Sequence, residues 1–139
     1  MSGRRLGAVP GSTPIAADGA PAPIGPYAPG RVVAGPGTWV ITSGQTGIDP
    51  ATGKLVDGGV PAQTDRVLQN VRAVLQAGGA DLSDVVKTTV FLSDMADFAA
   101  MNEVYARWFG SHKPARTTVA AKGLPLNCLV EIEAWAFRP

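Results

Sequence analysis

The sequence predicts an α+β domain, on three observations. Two segments carry apolar residues at helical spacing, and several short segments are rich in β-branched residues. Their order, hairpin, helix, strand, helix, strand, strand, puts hairpin connections at both ends and suggests a sheet with both helices on one face.

The elements follow in chain order. Residues 1–20 are dominated by Gly, Ala, Pro and Ser and are expected to be flexible, apart from a short strand near Ile15; residues 21–139 form the single domain. RVV (31–33) and TWVITS (38–43) flank the turn-rich AGPG, which predicts a β-hairpin. A loop, DPATGKLVDGG, spans 49–59. The first helix is predicted from near Pro61, with Val67, Leu68, Val71, Val74 and Leu75 on one face and Gly78 and Gly79 ending it. DVVKTTVFLSD (84–94) reads as a strand buried on both faces over much of its length. Asp94 is a good N-cap for a second helix, whose stripe is Phe98, Met101, Val104, Tyr105 and Trp108. Strands at about 115–121 and 129–137 close the chain.

Two helices cover only one face of a sheet whose strands are apolar on both. Subunit association is the simplest cover for the other, so the pattern predicts a homo-oligomer.

Composition excludes several classes of function. With 139 residues, one domain is expected, and folding buries about two-thirds of the unfolded chain's surface. Twelve Lys and Arg balance eleven Asp and Glu, and only 17% of residues are charged, so nothing favours nucleic acid or a membrane surface as a partner. No apolar run approaches the roughly 20 residues of a membrane-spanning helix, and no signal peptide is expected. The single cysteine, Cys128, has no disulfide partner and reads as a structural thiol, which fits a cytoplasmic protein. Neither a metal-ligand cluster nor a phosphate-binding glycine motif occurs, so no metal or other cofactor is expected. His112, the only histidine, lies in the GSHKP loop without a nucleophilic partner and is assigned no catalysis.

In a chain so sparing of charge, Arg116, Glu131 and Glu133 stand inside segments that otherwise read as buried strands. The stretches IGPY (24–27), ITSGQTGIDPATGK (41–54), VVKTTVFLSDMADFAAMNEVY (85–105), PARTTV (114–119), GLP (123–125) and VEIEAWA (130–136) resemble, in order, the RidA/YjgF-like reactive intermediate deaminases. The likeness covers about residues 22–138. It implies a chorismate-mutase-like α+β fold assembled as a homotrimer, with active sites in clefts between subunits. It also implies cofactor-free hydrolysis of enamines and imines such as 2-aminoacrylate to 2-oxo acids and ammonia.

The chemistry of the residues agrees with that expectation. A 2-imino acid presents a carboxylate, which a guanidinium binds in a planar, charge-assisted fork, and Arg116 is the candidate. Hydrolysis also needs a group to take the proton of the attacking water, and Glu131 matches the family position for that work. The competing reading is a structural Arg–Glu pair bridging neighbouring strands. Glu133, two residues on, falls on the same strand face as Glu131 and is left by the family correspondence as a structural or interface carboxylate.

By the same correspondence Tyr27 lies at the cleft mouth, against the alternative of a loop aromatic packed on the core edge. Ser43 and Gly44 let backbone approach a small ligand, or simply end a strand. Asn102 is carried as a substrate contact by family position alone, against the alternative of a solvated helix-face residue. Thr118 joins the substrate-binding residues at a position where some members have cysteine. A pathway-specific enzyme and a non-catalytic carboxylate-binding protein remain alternatives on the same scaffold.

Overall fold

The computed structural model describes residues 11–139. Residues 1–10 of the segment expected to be flexible therefore lie outside the described residues. Within the rest of that segment, Gly11–Pro14 form strand β1, antiparallel to β2 at Arg31–Ala34, and Ile15 N–H donates to Gly30 O at 2.9 Å.

The expected hairpin is not formed. Strand β3 (Thr38–Ile41) pairs instead with the last strand, β9 (Val130–Arg138), and β2 stays with β1. A Cβ at Gly37 would collide with Arg138 O and the Phe137 ring, so the Gly-Pro-Gly turn serves a close approach to β9. Two short pairings follow: β4 (Gln45–Thr46) on β9, and β5 (Ile48–Asp49) on β6 (Lys54–Leu55).

Helix α1 (Gly59–Ala77) begins two residues before Pro61, after the left-handed Gly58. Proline in the first turn loses nothing there, because that N–H has no helical acceptor. Val67, Leu68, Val71 and Leu75 are buried as expected, but Val74 is 39% exposed at the edge of the stripe. Gly79, with φ 91°, ends the helix in a conformation that favours glycine.

Asp94 caps a single 3₁₀ turn at Met95–Asp97, accepting from Ala96 N–H at 2.9 Å, and α2 (Phe98–Phe109) continues from it. Trp108 is half-buried and donates to Asp65 Oδ1 at 2.9 Å, pinning α2 to α1.

The main sheet runs β3-β9-β7-β8, where β7 is Val85–Leu92 and β8 is Ala115–Ala120. Only β7 and β8 are parallel, joined through α2; β9 is antiparallel to both β3 and β7. This is the expected α+β mixed sheet with both helices on one face. Val90, Leu92, Val130, Ile132, Ala134 and Ala136 point to that face, where they pack with Val67, Leu68, Val71, Leu75, Met101 and Tyr105.

Among the described residues, the other face carries no helix in the single chain. Strand β7 alternates rather than being buried on both sides: Lys87, Thr89 and Phe91 are only partly covered. Beside them lie the exposed side chains of Trp39, Ile41, Val119 and Trp135, with Glu131 and Glu133 in the same layer. Among the described residues, no helix is long and apolar enough to cross a membrane.

His112 ties the loop after α2 to the start of β7, donating from Nε2 to Val85 O at 2.7 Å. Burial, the main cause, lowers its pKa below the ordinary value, with the Arg31 charge acting the same way; the Val85 bond and Asp84 oppose them. A histidine whose folded pKa lies below its unfolded one contributes stability that is complete above about pH 6.5 and is lost as pH falls through the folded value. Melting scans from about pH 7 to about pH 5 should therefore show a steeper loss for wild type than for His112→Gln. Glutamine can still donate to Val85 without titrating, so equal slopes would contradict the assignment.

Candidate active site

Arg116 stands one residue into β8, directly opposite Thr88 in the parallel ladder, and both face the helices. The strand's start is held by a bridge between Ala28 and Ala115, with Ala28 N–H donating to Pro114 O at 2.9 Å. That bridge brings the 24–27 loop over the guanidinium. Tyr27 N–H donates to Gly25 O at 2.9 Å, and the Tyr27 hydroxyl accepts from Ile24 N–H at 3.1 Å. A side chain at Gly25 would have to displace the guanidinium: its Cβ would lie 2.9 Å from an Arg116 terminal nitrogen and 3.2 Å from the Tyr27 ring.

Only 9% of Arg116 is exposed, yet its Nε and both terminal nitrogens have no hydrogen-bond partner among the described residues. Three aromatic rings surround the guanidinium instead, Tyr105 at 4.9 Å, Tyr27 at 5.0 Å and Phe98 at 5.6 Å from its carbon. Cation–π contacts contribute about 0.5–2 kcal/mol each, whereas a buried ion without a counter-charge costs several. The deficit makes this hollow receptive to an anion. Burial lowers the Arg116 pKa, and Tyr105 and Tyr27 act against it; an arginine stays charged through such a shift.

Ile24, Tyr27, Met95, Phe98, Arg116 and Thr118 line a hollow of about 380 Å³. Asn102 Oδ1 and Thr118 Oγ1 are also buried without partners. Sequence reasoning placed Phe98, Met95 and Tyr105 in the core or passed over them. The available signal was spacing: Phe98, Asn102 and Tyr105 recur at i, i+4 and i+7, so the one polar side chain of that helical face marks where it meets the hollow.

Glu131 lies elsewhere. It pairs across the sheet with Phe91 on one side and Thr46 on the other, and it points to the face away from the helices. Between β3 and β4 the chain carries one extra residue relative to β9, since Ile41 pairs with Trp135 but Gln45 with Ile132. Thr42 bridges the irregularity: its N–H donates to Ala134 O at 2.9 Å and its hydroxyl accepts from Ala134 N–H at 3.1 Å. Ser43 and Gly44 follow it, and the Glu131 carboxylate rests over Gly44, where a Cβ would come 2.5 Å from Oε2.

Cys128, fully buried, has its thiol pKa raised by burial first and by the Glu131 charge second, so it stays protonated and unreactive. Among the described residues, Glu131 and Arg116 take part in no ion pair, and no group of three or more His, Cys, Asp or Glu could hold a metal ion.

One chain thus presents two separate groups of candidate residues. Arg116, Tyr27, Asn102 and Thr118 converge on the helix face; Ser43, Gly44 and Glu131 converge on the opposite face, with Glu133 alongside. The structural Arg–Glu bridge is not formed, and Arg116 does not meet Glu131 within the chain.

Against known proteins, the endoribonuclease L-PSP family model matches residues 17–138. A RutC family protein of Pyrococcus abyssi is 49% identical over 119 residues, covering 86% of this chain and 91% of its own. The 2-iminobutanoate/2-iminopropanoate deaminase of Salmonella typhimurium is 45% identical over 130 residues, covering 91% and 98%. The crystal structure of the YjgF gene product of E. coli superposes with a TM-score of 0.70 at 42% identity, covering 91% of this chain and 99% of that one. Sequence, fold and the shared motifs make the chain a member of the endoribonuclease L-PSP family, the YjgF/RidA group its motifs resemble.

Proposed function

We propose that the protein hydrolyses reactive 2-enamine and 2-imine acids, of the 2-aminoacrylate type, to 2-oxo acids and ammonia without a cofactor. One observation carries the reading: a buried guanidinium, ringed by aromatics, whose nitrogens donate to nothing among the described residues. Deaminase-named relatives of similar length support it.

Because the two groups face opposite ways, the working site is composite. In a cytoplasmic homotrimer, the exposed apolar face of one subunit is covered by the next, and Glu131 of one copy meets the Arg116 hollow of another. Arg116 grips the substrate carboxylate through two parallel N–H donors. Glu131 takes a proton from water as the water oxygen bonds to the imine carbon and passes it to the nitrogen, giving a neutral tetrahedral carbinolamine. It then moves the hydroxyl proton to the amino nitrogen as the C=O bond forms and the C–N bond breaks, so ammonia leaves and the 2-oxo acid remains. Tyr27 closes the mouth over Arg116, Asn102 and Thr118 offer their unpaired oxygens beside it, and Ser43 with Gly44 lets backbone approach the substrate.

The test generates 2-iminobutanoate with an amino-acid oxidase or a dehydratase and follows 2-oxo acid release. Wild type should accelerate it; stabilisation by a carboxylate without turnover would instead mark a binding protein. Co-expression of Arg116→Ala with Glu131→Gln probes the composite site. If mixing is random, about one-quarter of interfaces combine an intact Arg116 with an intact Glu131, and activity should recover to about that level. Mixed assemblies as inactive as the single variants would overturn it.

A further inference from the structure

We propose that Tyr105, anchored by Thr88, is the positioning residue that sets the orientation of Arg116 for its anion. This rests on the carboxylate-binding role of Arg116 proposed above. A guanidinium normally takes its orientation from hydrogen bonds, and this one has none. Ring faces are what remain to fix its plane, and the three differ in how firmly they are held.

Tyr27 sits on a loop, and Phe98 is half-buried at the first turn of α2 and is the most distant at 5.6 Å. Tyr105 is fully buried, is the closest at 4.9 Å, and stacks on Phe109 with ring centroids 4.6 Å apart. Its hydroxyl is hydrogen-bonded to Thr88 Oγ1 at 2.7 Å, in a buried contact. Thr88 is also the residue paired with Arg116 across the β7–β8 ladder.

The ring is therefore referenced to the same rung of the sheet that launches the arginine. The side chain runs out from β8, the tyrosine reaches down from α2, and Thr88 between them closes the triangle. Burial, with the Thr88 bond and Arg116 acting against it, raises the Tyr105 pKa to about 12. The phenol consequently stays neutral, and the arrangement does not change across the working pH range.

Variants separate positioning from packing. Tyr105→Phe keeps the ring and removes the anchor; Thr88→Val keeps the tyrosine and removes its partner. The probe is 2-oxobutanoate, an unreactive carboxylate, with its Kd measured by calorimetry beside the melting temperature. Each single variant should weaken the probe about three- to tenfold. The double variant should be no weaker than either single, because both remove one bond. Melting temperature should fall in Thr88→Val, which strands a buried hydroxyl, and recover in the double, while Kd stays weakened.

A purely structural role makes the opposite prediction: Kd unchanged, or recovering together with the melting temperature, and either result overturns the proposal. Wild type that binds the probe in this Tyr105-dependent way but hydrolyses no imine sinks the deaminase reading alone. Wild type that does not bind the probe sinks both.

Discussion

Arg116→Met is expected to lower kcat/KM for imine hydrolysis by on the order of 10²- to 10³-fold while leaving the melting temperature unchanged or raised. The two effects have one cause. In the free protein the guanidinium is desolvated and donates no hydrogen bond, so its charge works against folding, with three ring faces as partial compensation. Methionine fills much of the same space, contacts the same rings and carries no charge, which removes that burden. Loss of function with retained or increased stability is the signature of a residue kept for a ligand. Arg116→Lys should also fail to restore activity, because an ammonium cannot present two parallel donors to a carboxylate. A methionine variant with wild-type turnover would end the proposal, and one that unfolds would show the guanidinium to be structural.

Glu131→Gln is expected to lower kcat by on the order of 10²- to 10⁴-fold, the usual contribution of a positioned acid–base group, with KM little changed. Glutamine has the same shape, so it still fits over Gly44, where a larger or displaced group would meet backbone. In the composite site proposed above, Glu131 faces the Arg116 hollow of a neighbouring copy, so losing its negative charge should leave the affinity for the anionic 2-oxobutanoate unchanged or raise it. Kinetics and probe binding on the same preparation check both halves. A large rise in KM, with kcat preserved, would assign Glu131 to substrate binding and remove it from proton transfer.

Much of the secondary structure was legible because it is locally encoded. The apolar stripe of α1 and its glycine stop, the capped start of α2 after Asp94, and the alternating β9 all depend on residues within a few positions of one another. The β2–β3 hairpin failed for the converse reason. A glycine- and proline-rich turn says where a strand ends, not which strand lies beside it, and β3 found its partner nearly a hundred positions away at Trp135 to Arg138. Val74 failed more narrowly, as a residue at the edge of a stripe whose burial depends on what packs there.

The residue types of the site were also legible: a lone arginine and two glutamates among β-branched neighbours, with the IGPY and TSGQ segments beside them. Their grouping was not. In a strand, a one-residue change of register moves a side chain to the other face, and the relative register of β8 and β9 is set only through β7, which separates them. Thus the sequence by itself determined the element types, the sparing use of charge and the chemistry available to the site. The tertiary structure alone decided that Arg116 and Glu131 point to opposite faces and that Tyr105 and Phe98 cage the guanidinium. The physical reason is that helical periodicity and capping act over a few residues, while strand pairing and facing are long-range contacts that local patterns do not specify.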